Sequence, residues 1–92
     1  MARVVVPAKV HDLEVWEEGF RTHGDLFRRM SLSVSYYGMN EDDRSVAVYA
    51  EPTDLDRWME ILRSSDTVDA MDADGIVPDT VKVFVLDREF RY

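Results

Sequence analysis

A repeated change of period is the strongest constraint on this chain. Within 92 residues the apolar positions recur every second residue, then every three to four, then every second in two successive runs, then every three to four, then every second again. Alternation marks half-buried strands, and a repeat near 3.6 marks amphipathic helices. The predicted order is therefore β-α-β-β-α-β. The first run, Arg3 to Val10, places Val4, Val6, Ala8 and Val10 on one side, and Pro7 within it predicts an edge position or a bulge. Asp12 is placed to cap a helix running to about Met30. On that helix Leu13, Trp16, Phe20, His23, Phe27 and Met30 share one sector, opposite Glu14, Glu17, Glu18, Arg21, Asp25, Arg28 and Arg29. Gly19 and Gly24 weaken it slightly, and Gly24, beside the apolar stripe, permits close packing or leaves space.

Leu32 to Met39 predicts the second strand, with Leu32, Val34 and Tyr36 facing one way and Ser33, Ser35 and Tyr37 the other. Asn40-Glu41-Asp42-Asp43 is a charged turn, and Ser45 to Glu51 the third strand, which together make an antiparallel hairpin. Pro52-Thr53-Asp54 opens a second helix with Leu55, Trp58, Met59 and Leu62 as its stripe. Ser64-Ser65-Asp66 interrupts it, with Asp66 expected to cap a short helix from Thr67 to Ala73, stopped by Asp74-Gly75. Val81 to Asp87 predicts the fourth strand.

Two right-handed βαβ crossovers give a four-stranded antiparallel sheet with both helices on one face, an α+β, ferredoxin-like architecture in one domain spanning residues 1–92. Its other face carries either Val5, Pro7, Ala47, Tyr49, Phe84 and Leu86 or their valine-rich alternates. Both sets are apolar beyond what a solvated face normally shows, so a second copy packed sheet to sheet is expected. With 11 basic and 19 acidic residues, the net charge of −8 argues against nucleic acid and anionic membranes as partners. The absence of cysteine excludes disulfides, thiol catalysis and thiolate metal sites. Val4 to Ala8 is far too short to span a membrane, and the charges that follow it do not fit a signal peptide, so a cytoplasmic protein is expected.

The run Trp16-x-x-x-Phe20-x-x-His23, the helix opening Asp54-Leu55-Asp56-Arg57, the stretch Ala70-Met71-Asp72-Ala73-Asp74-Gly75-Ile76 and the strand Val81 to Leu86 resemble the dimeric α+β-barrel superfamily. They resemble most the small antibiotic-biosynthesis monooxygenase-like and cyclase-like proteins. The resemblance implies a homodimer with a ligand site between helices and sheet in each subunit. It also implies cofactor-free oxygenation or cyclisation of aromatic or polyketide-like compounds. Haem degraders in that group carry a ligating His in the second-helix region, and residues 52–79 here contain none.

His23 is the first candidate for chemistry. An imidazole in an aromatic sector can take a proton from a phenol or an enolisable carbonyl, or it can be a half-buried structural His bonded to a strand carbonyl. Trp16, Phe20, Phe27 and Trp58 either wall a flat pocket or fill the core. Tyr36 and Tyr37 must point to opposite faces. If Val34 faces the helices, Tyr36 is on the ligand side, where its phenol would orient a substrate oxygen. His11, at the end of the first strand, is a second-rank proton donor or a solvated loop residue. Asp72-Ala73-Asp74-Gly75 resembles part of an EF-hand loop, but Ala70 and Val81 stand at its first and twelfth positions. No metal site is expected, and residues 66–79 are expected to form a solvated acidic face. No P-loop, GxGxxG, GxSxG or HExxH occurs, so no cofactor is expected. The expected function is His-assisted proton transfer by a cofactor-free monooxygenase or cyclase. The alternative is a non-catalytic ligand-binding or interaction module of the same fold.

Overall fold

In a computed structural model, residues 2–29, 32–88 and 90 are described, with the side chains of residues 25–27, 33 and 34 outside that description. The elements are β1 (Val4–Lys9), α1 (Leu13–Arg21), α2 (Gly24–Arg29), β2 (Leu32–Asn40), β3 (Ser45–Pro52), α3 (Leu55–Leu62), α4 (Ser65–Ala73), a 3-10 turn (Pro78–Thr80) and β4 (Phe84–Val85). The described strands form one antiparallel sheet in the order β2-β3-β1-β4. This is the ferredoxin-like arrangement expected from the pattern.

β1 is an inner strand, not an edge. Pro7 pairs with Ala47 of β3, and its carbonyl accepts from the Lys82 N–H at 3.2 Å. The N–H and C=O of one strand residue point to the same neighbour, so the donor that Pro7 lacks is missing on the β4 side. The β1–β4 ladder there is short, with only Val4↔Val85 and Val5↔Phe84 in register. The fourth strand is correspondingly shorter than the predicted Val81 to Asp87. Farther along, Lys9 turns to other partners. Its N–H donates to Thr80 Oγ1 at 2.8 Å and its carbonyl accepts from Val77 N–H at 2.9 Å.

The predicted first helix is two helices. Asp12 caps α1, its Oδ1 accepting from the N–H groups of Glu14 and Val15 at 2.9 and 3.2 Å. At the other end the Thr22 N–H and Oγ1 both donate to the Gly19 carbonyl, at 3.0 and 2.7 Å, and His23 N–H donates to the Phe20 carbonyl. These i→i−3 bonds tighten the last turn and end the helix. His23 therefore occupies the break between α1 and α2. Farther on, Asp54 caps α3 through Arg57 N–H at 3.1 Å. The cap of α4 is Ser64, whose Oγ accepts from Thr67 N–H, rather than Asp66. Asp66 instead faces Arg29 of α2 at 3.4 Å.

Two groups of side chains fill the helix side of the sheet. One gathers Val4, Ala50 and Trp58, with Leu55 and Leu62 against them. The other gathers Ala8, Val10, Trp16 and Val46, with Phe20, Tyr37 and Ile76 against them. The opposite face carries Tyr36 and Tyr49, stacked at 4.7 Å between ring centroids, together with the exposed Phe84 and Leu86.

Candidate functional site

Between the two core groups lies a cavity of about 90 Å³. Val6, Ala8, Val46, Val48 and Ala50 form its sheet side, Trp16 and Phe20 come from α1, Trp58 and Leu62 from α3, and Ala70 and Met71 from α4. Among the described residues, the polar ones on its lining are His23, Ser35, Thr67 and Asp74. Thr67 Oγ1 donates to the Ile61 carbonyl at 2.6 Å, closing the α3–α4 corner.

His23 and Asp74 meet on the lining of this cavity. His23 Nε2 lies 2.9 Å from Asp74 Oδ2, across 51 residues of sequence. Asp74 follows the last residue of α4, and its backbone N–H bonds back to the Ala70 carbonyl. It is only 6% exposed. Burial pushes its carboxyl above the ordinary carboxylate range, and the adjacent His23 pulls part of the way back. The expectation that Asp74 belongs to a solvated acidic face is thus corrected. A carboxylate at a helix end looks like a cap or a surface charge in sequence, because its partner is brought in from another element. Gly19 of α1 makes room for it. A Cβ at Gly19 would overlap Asp74 Oδ1 and lie 2.7 Å from its Cγ. Gly24, expected either to permit close packing or to leave space, has among the described residues Arg28 Nη1 nearest to an added Cβ, at 3.9 Å.

The aromatic candidates divide clearly. Trp16, Phe20 and Trp58 both pack and line the cavity; Trp16 and Trp58 are 1% and 3% exposed. Trp16 lies 4.9 Å from Phe20 and 5.3 Å from Tyr37, centroid to centroid, the second pair edge-on. The Phe27 side chain and the Met30 position lie outside the described residues. His11 is exposed beside Arg44 and Glu41, on an outer depression separate from the cavity.

Tyr36 does not reach the cavity. It is 60% exposed on the outer sheet face, and Tyr37 takes the helix side. The reason is a bulge in β2: Leu32 pairs with Pro52 and Val34 with Glu51, so two steps on β2 match one on β3. One extra residue reverses which side chains face the helices. Leu32, Ser35 and Tyr37 then share the helix side. Tyr37 packs against Trp16 and Phe20 and donates its hydroxyl to Glu17 Oε2 at 2.9 Å, and Glu17 pairs with Arg21 at 3.6 Å.

Among the described residues no group of three or more His, Cys, Asp or Glu side chains is placed to hold a metal ion. No described helix is long and apolar enough to cross a membrane.

The fold is the ferredoxin-like α+β fold found in the antibiotic biosynthesis monooxygenase proteins. Among solved structures, the cofactor-independent oxygenase SnoaB from Streptomyces nogalater superposes with a TM-score of 0.74 at 18% identity, covering 98% of this chain and 94% of that one. A protein assigned as an antibiotic biosynthesis monooxygenase from Bordetella bronchiseptica gives 0.76 at 11% identity, covering 97% of each chain. One with the same assignment from Nitrosomonas europaea gives 0.70 at 16% identity, covering 98% of this chain and 100% of that one. No protein-family model and no curated protein sequence matches the chain.

Proposed function

We propose that this protein is a small-molecule enzyme that removes a proton from a hydrophobic, enolisable aromatic or polyketide-like compound, as a cofactor-independent monooxygenase or a cyclase. The observation that carries this reading is the His23–Asp74 pair at 2.9 Å on the lining of an otherwise nearly apolar cavity. Apolar walls exclude water and strengthen the electrostatic effect of the pair on a bound molecule. His23 takes a proton from an activated C–H, and the electron pair stays on the substrate as an enolate. In the oxygenase branch the carbanion reduces dioxygen, a C–O bond forms, and water leaves to give a carbonyl. In the cyclase branch the carbanion adds to a carbonyl carbon of the same molecule, and the resulting alkoxide recovers the proton. The shared fold with SnoaB supports the oxygenase branch.

The cavity volume bears on the substrate. At about 90 Å³ it is smaller than the roughly 150 Å³ void that admits benzene. An aromatic ring therefore enters by displacing wall side chains, and the unbranched Met71 is the most adaptable of them. The same small volume favours a second reading, a non-catalytic binding module for a small apolar ligand.

The partner in this reading is a second copy of the chain on the outer sheet face. Tyr36, Phe84 and Leu86 are all exposed there, and Tyr49, Val5, Pro7 and Ala47 lie between them only partly covered. Covering that face would supply the apolar burial that so short a chain lacks by itself.

The test uses 2-tetralone, a bicyclic aromatic ketone with acidic α-hydrogens, in deuterated buffer. The expected result is α-deuterium incorporation above buffer background, returning to background in a folded His23→Ala variant. Unchanged exchange in that variant would sink the enzyme reading. Binding without exchange in the wild type would establish the binding module instead.

A further inference from the structure

The geometry points to Asp74 as a positioning residue for His23: it holds the ring by Nε2 and leaves the lone pair on Nδ1 to take the substrate's proton. This deepens the proposed function and rests on it for the chemistry, although the arrangement of the ring can be tested separately.

Three observations converge on the pair. Nε2 is the ring nitrogen within hydrogen-bond distance of the Asp74 carboxylate, at 2.9 Å. When Asp74 is ionised its carboxylate only accepts, and in that state Nε2 carries the hydrogen and the neutral ring keeps its lone pair on Nδ1. Asp74 is buried, so without a partner its charge would be costly, and His23 is the side chain recorded against it. Finally, α1 lacks a side chain at the one position where a Cβ would overlap the carboxylate, Gly19. A helix-interior glycine is unfavourable in itself, and at this position its absent Cβ is what allows the carboxylate to reach His23. The contact ties His23, in the break between α1 and α2, to the residue that follows α4.

During proton abstraction the substrate C–H bond breaks, the proton moves to Nδ1, and the pair of electrons remains as the enolate. The imidazolium so formed is balanced by the carboxylate on its other nitrogen, and it returns a solvent proton or deuteron to the enolate. Asp74 neither gives nor takes a proton in this cycle. It acts through His23.

Two measurements test this. The first is alkylation by iodoacetamide, with the modified nitrogen of His23 identified by NMR. A free imidazole is alkylated mainly at Nε2. In the wild-type protein the expected product at His23 is the Nδ1 adduct, and in Asp74→Asn and Gly19→Ala the selectivity is expected to fall. The second is the 2-tetralone exchange assay. Asp74→Asn is expected to lower kcat by about ten- to a hundredfold with KM within about twofold, because positioning groups act on the proton-transfer step. Gly19→Ala, which keeps both functional groups but displaces one, is expected to do the same.

Alkylation at Nε2 in the wild type, or no reaction at His23 while His11 reacts, overturns the inference whatever the exchange assay shows. So does an Asp74→Asn variant with unchanged kcat. If the wild type accelerates no exchange, the functional reading falls, and the alkylation site alone decides how Asp74 holds the ring.

Discussion

Gly19 and Asp74 compete for the same space: the Asp74 carboxylate occupies the position that a side chain at Gly19 would need. The two residues are on different helical elements, α1 and the end of α4, and their fit seats His23 against the carboxylate.

This predicts opposite outcomes for two similar substitutions. Among the described residues Gly24→Ala meets no atom closer than 3.9 Å, and at the first residue of α2 it should stabilise the protein by a fraction of the about 1 kcal/mol that a helix-interior position gains. Gly19→Ala gains that interior propensity but forces Asp74 off His23, leaving a buried carboxylate unpaired at a cost of about 1–3 kcal/mol. It should be net destabilising. Denaturant unfolding of both variants checks the difference in sign, and a stabilised Gly19→Ala would contradict the packing described.

The raised pKa of Asp74 makes a pH prediction. Its folded pKa exceeds the unfolded value of 3.8, so the folded state binds the proton more tightly. That contribution is complete below about pH 3.8 and is lost as pH rises through the folded pKa. Asp74→Asn, which cannot ionise, lacks the effect. The melting temperature of the wild type minus that of Asp74→Asn should therefore fall as pH rises from below 3.8 into the range above it. A difference that rises over that interval would show that pairing with His23 outweighs burial.

Enlarging the cavity should change what it binds. Met71→Ala removes a wall side chain and should cost about 2 kcal/mol. It should also strengthen the binding of benzene, followed by ligand-detected NMR and by thermal shift. Equal benzene binding in both proteins would mean that Met71 does not limit the volume.

The outer sheet face should respond to charge. Tyr36→Asp places a carboxylate on the exposed, stacked Tyr36–Tyr49 pair, close to Glu51, which accepts the Tyr49 hydroxyl at 2.9 Å. If two copies pack through this face, sedimentation should show a dimer for the wild type and dissociation for the variant at micromolar concentration. A wild-type monomer at that concentration would remove the dimer from the proposal.

Most of the fold was legible in the sequence because it depends on local signals. The periods of 2 and 3.6 fix which segments become strands and helices, Asp12 caps the helix expected of it, Pro52-Thr53-Asp54 opens the next, and the charged turn joins β2 to β3. Which aromatic residues face inward on the helices was legible for the same reason, and Trp16, Phe20 and Trp58 do so. The exceptions are where one element corrects another. The bulge after Leu32 reverses Tyr36 and Tyr37, and nothing in the alternation of β2 alone records the register it adopts against β3. Pro7 is accommodated inside the sheet because β4 pairs only briefly beside it. Thr22 and His23 break a helix whose apolar stripe continues without interruption in the sequence.

By itself, then, the sequence determined the architecture and the placement of His23 on the same side as Trp16 and Phe20, since both follow from the spacing of neighbours along the chain. Only the tertiary structure decided that Asp74 is the partner of His23, that Gly19 makes room for it, and that Tyr37 rather than Tyr36 faces the helices. Those contacts join residues far apart in sequence. They depend on strand register and helix approach, which are settled by packing rather than by local preference.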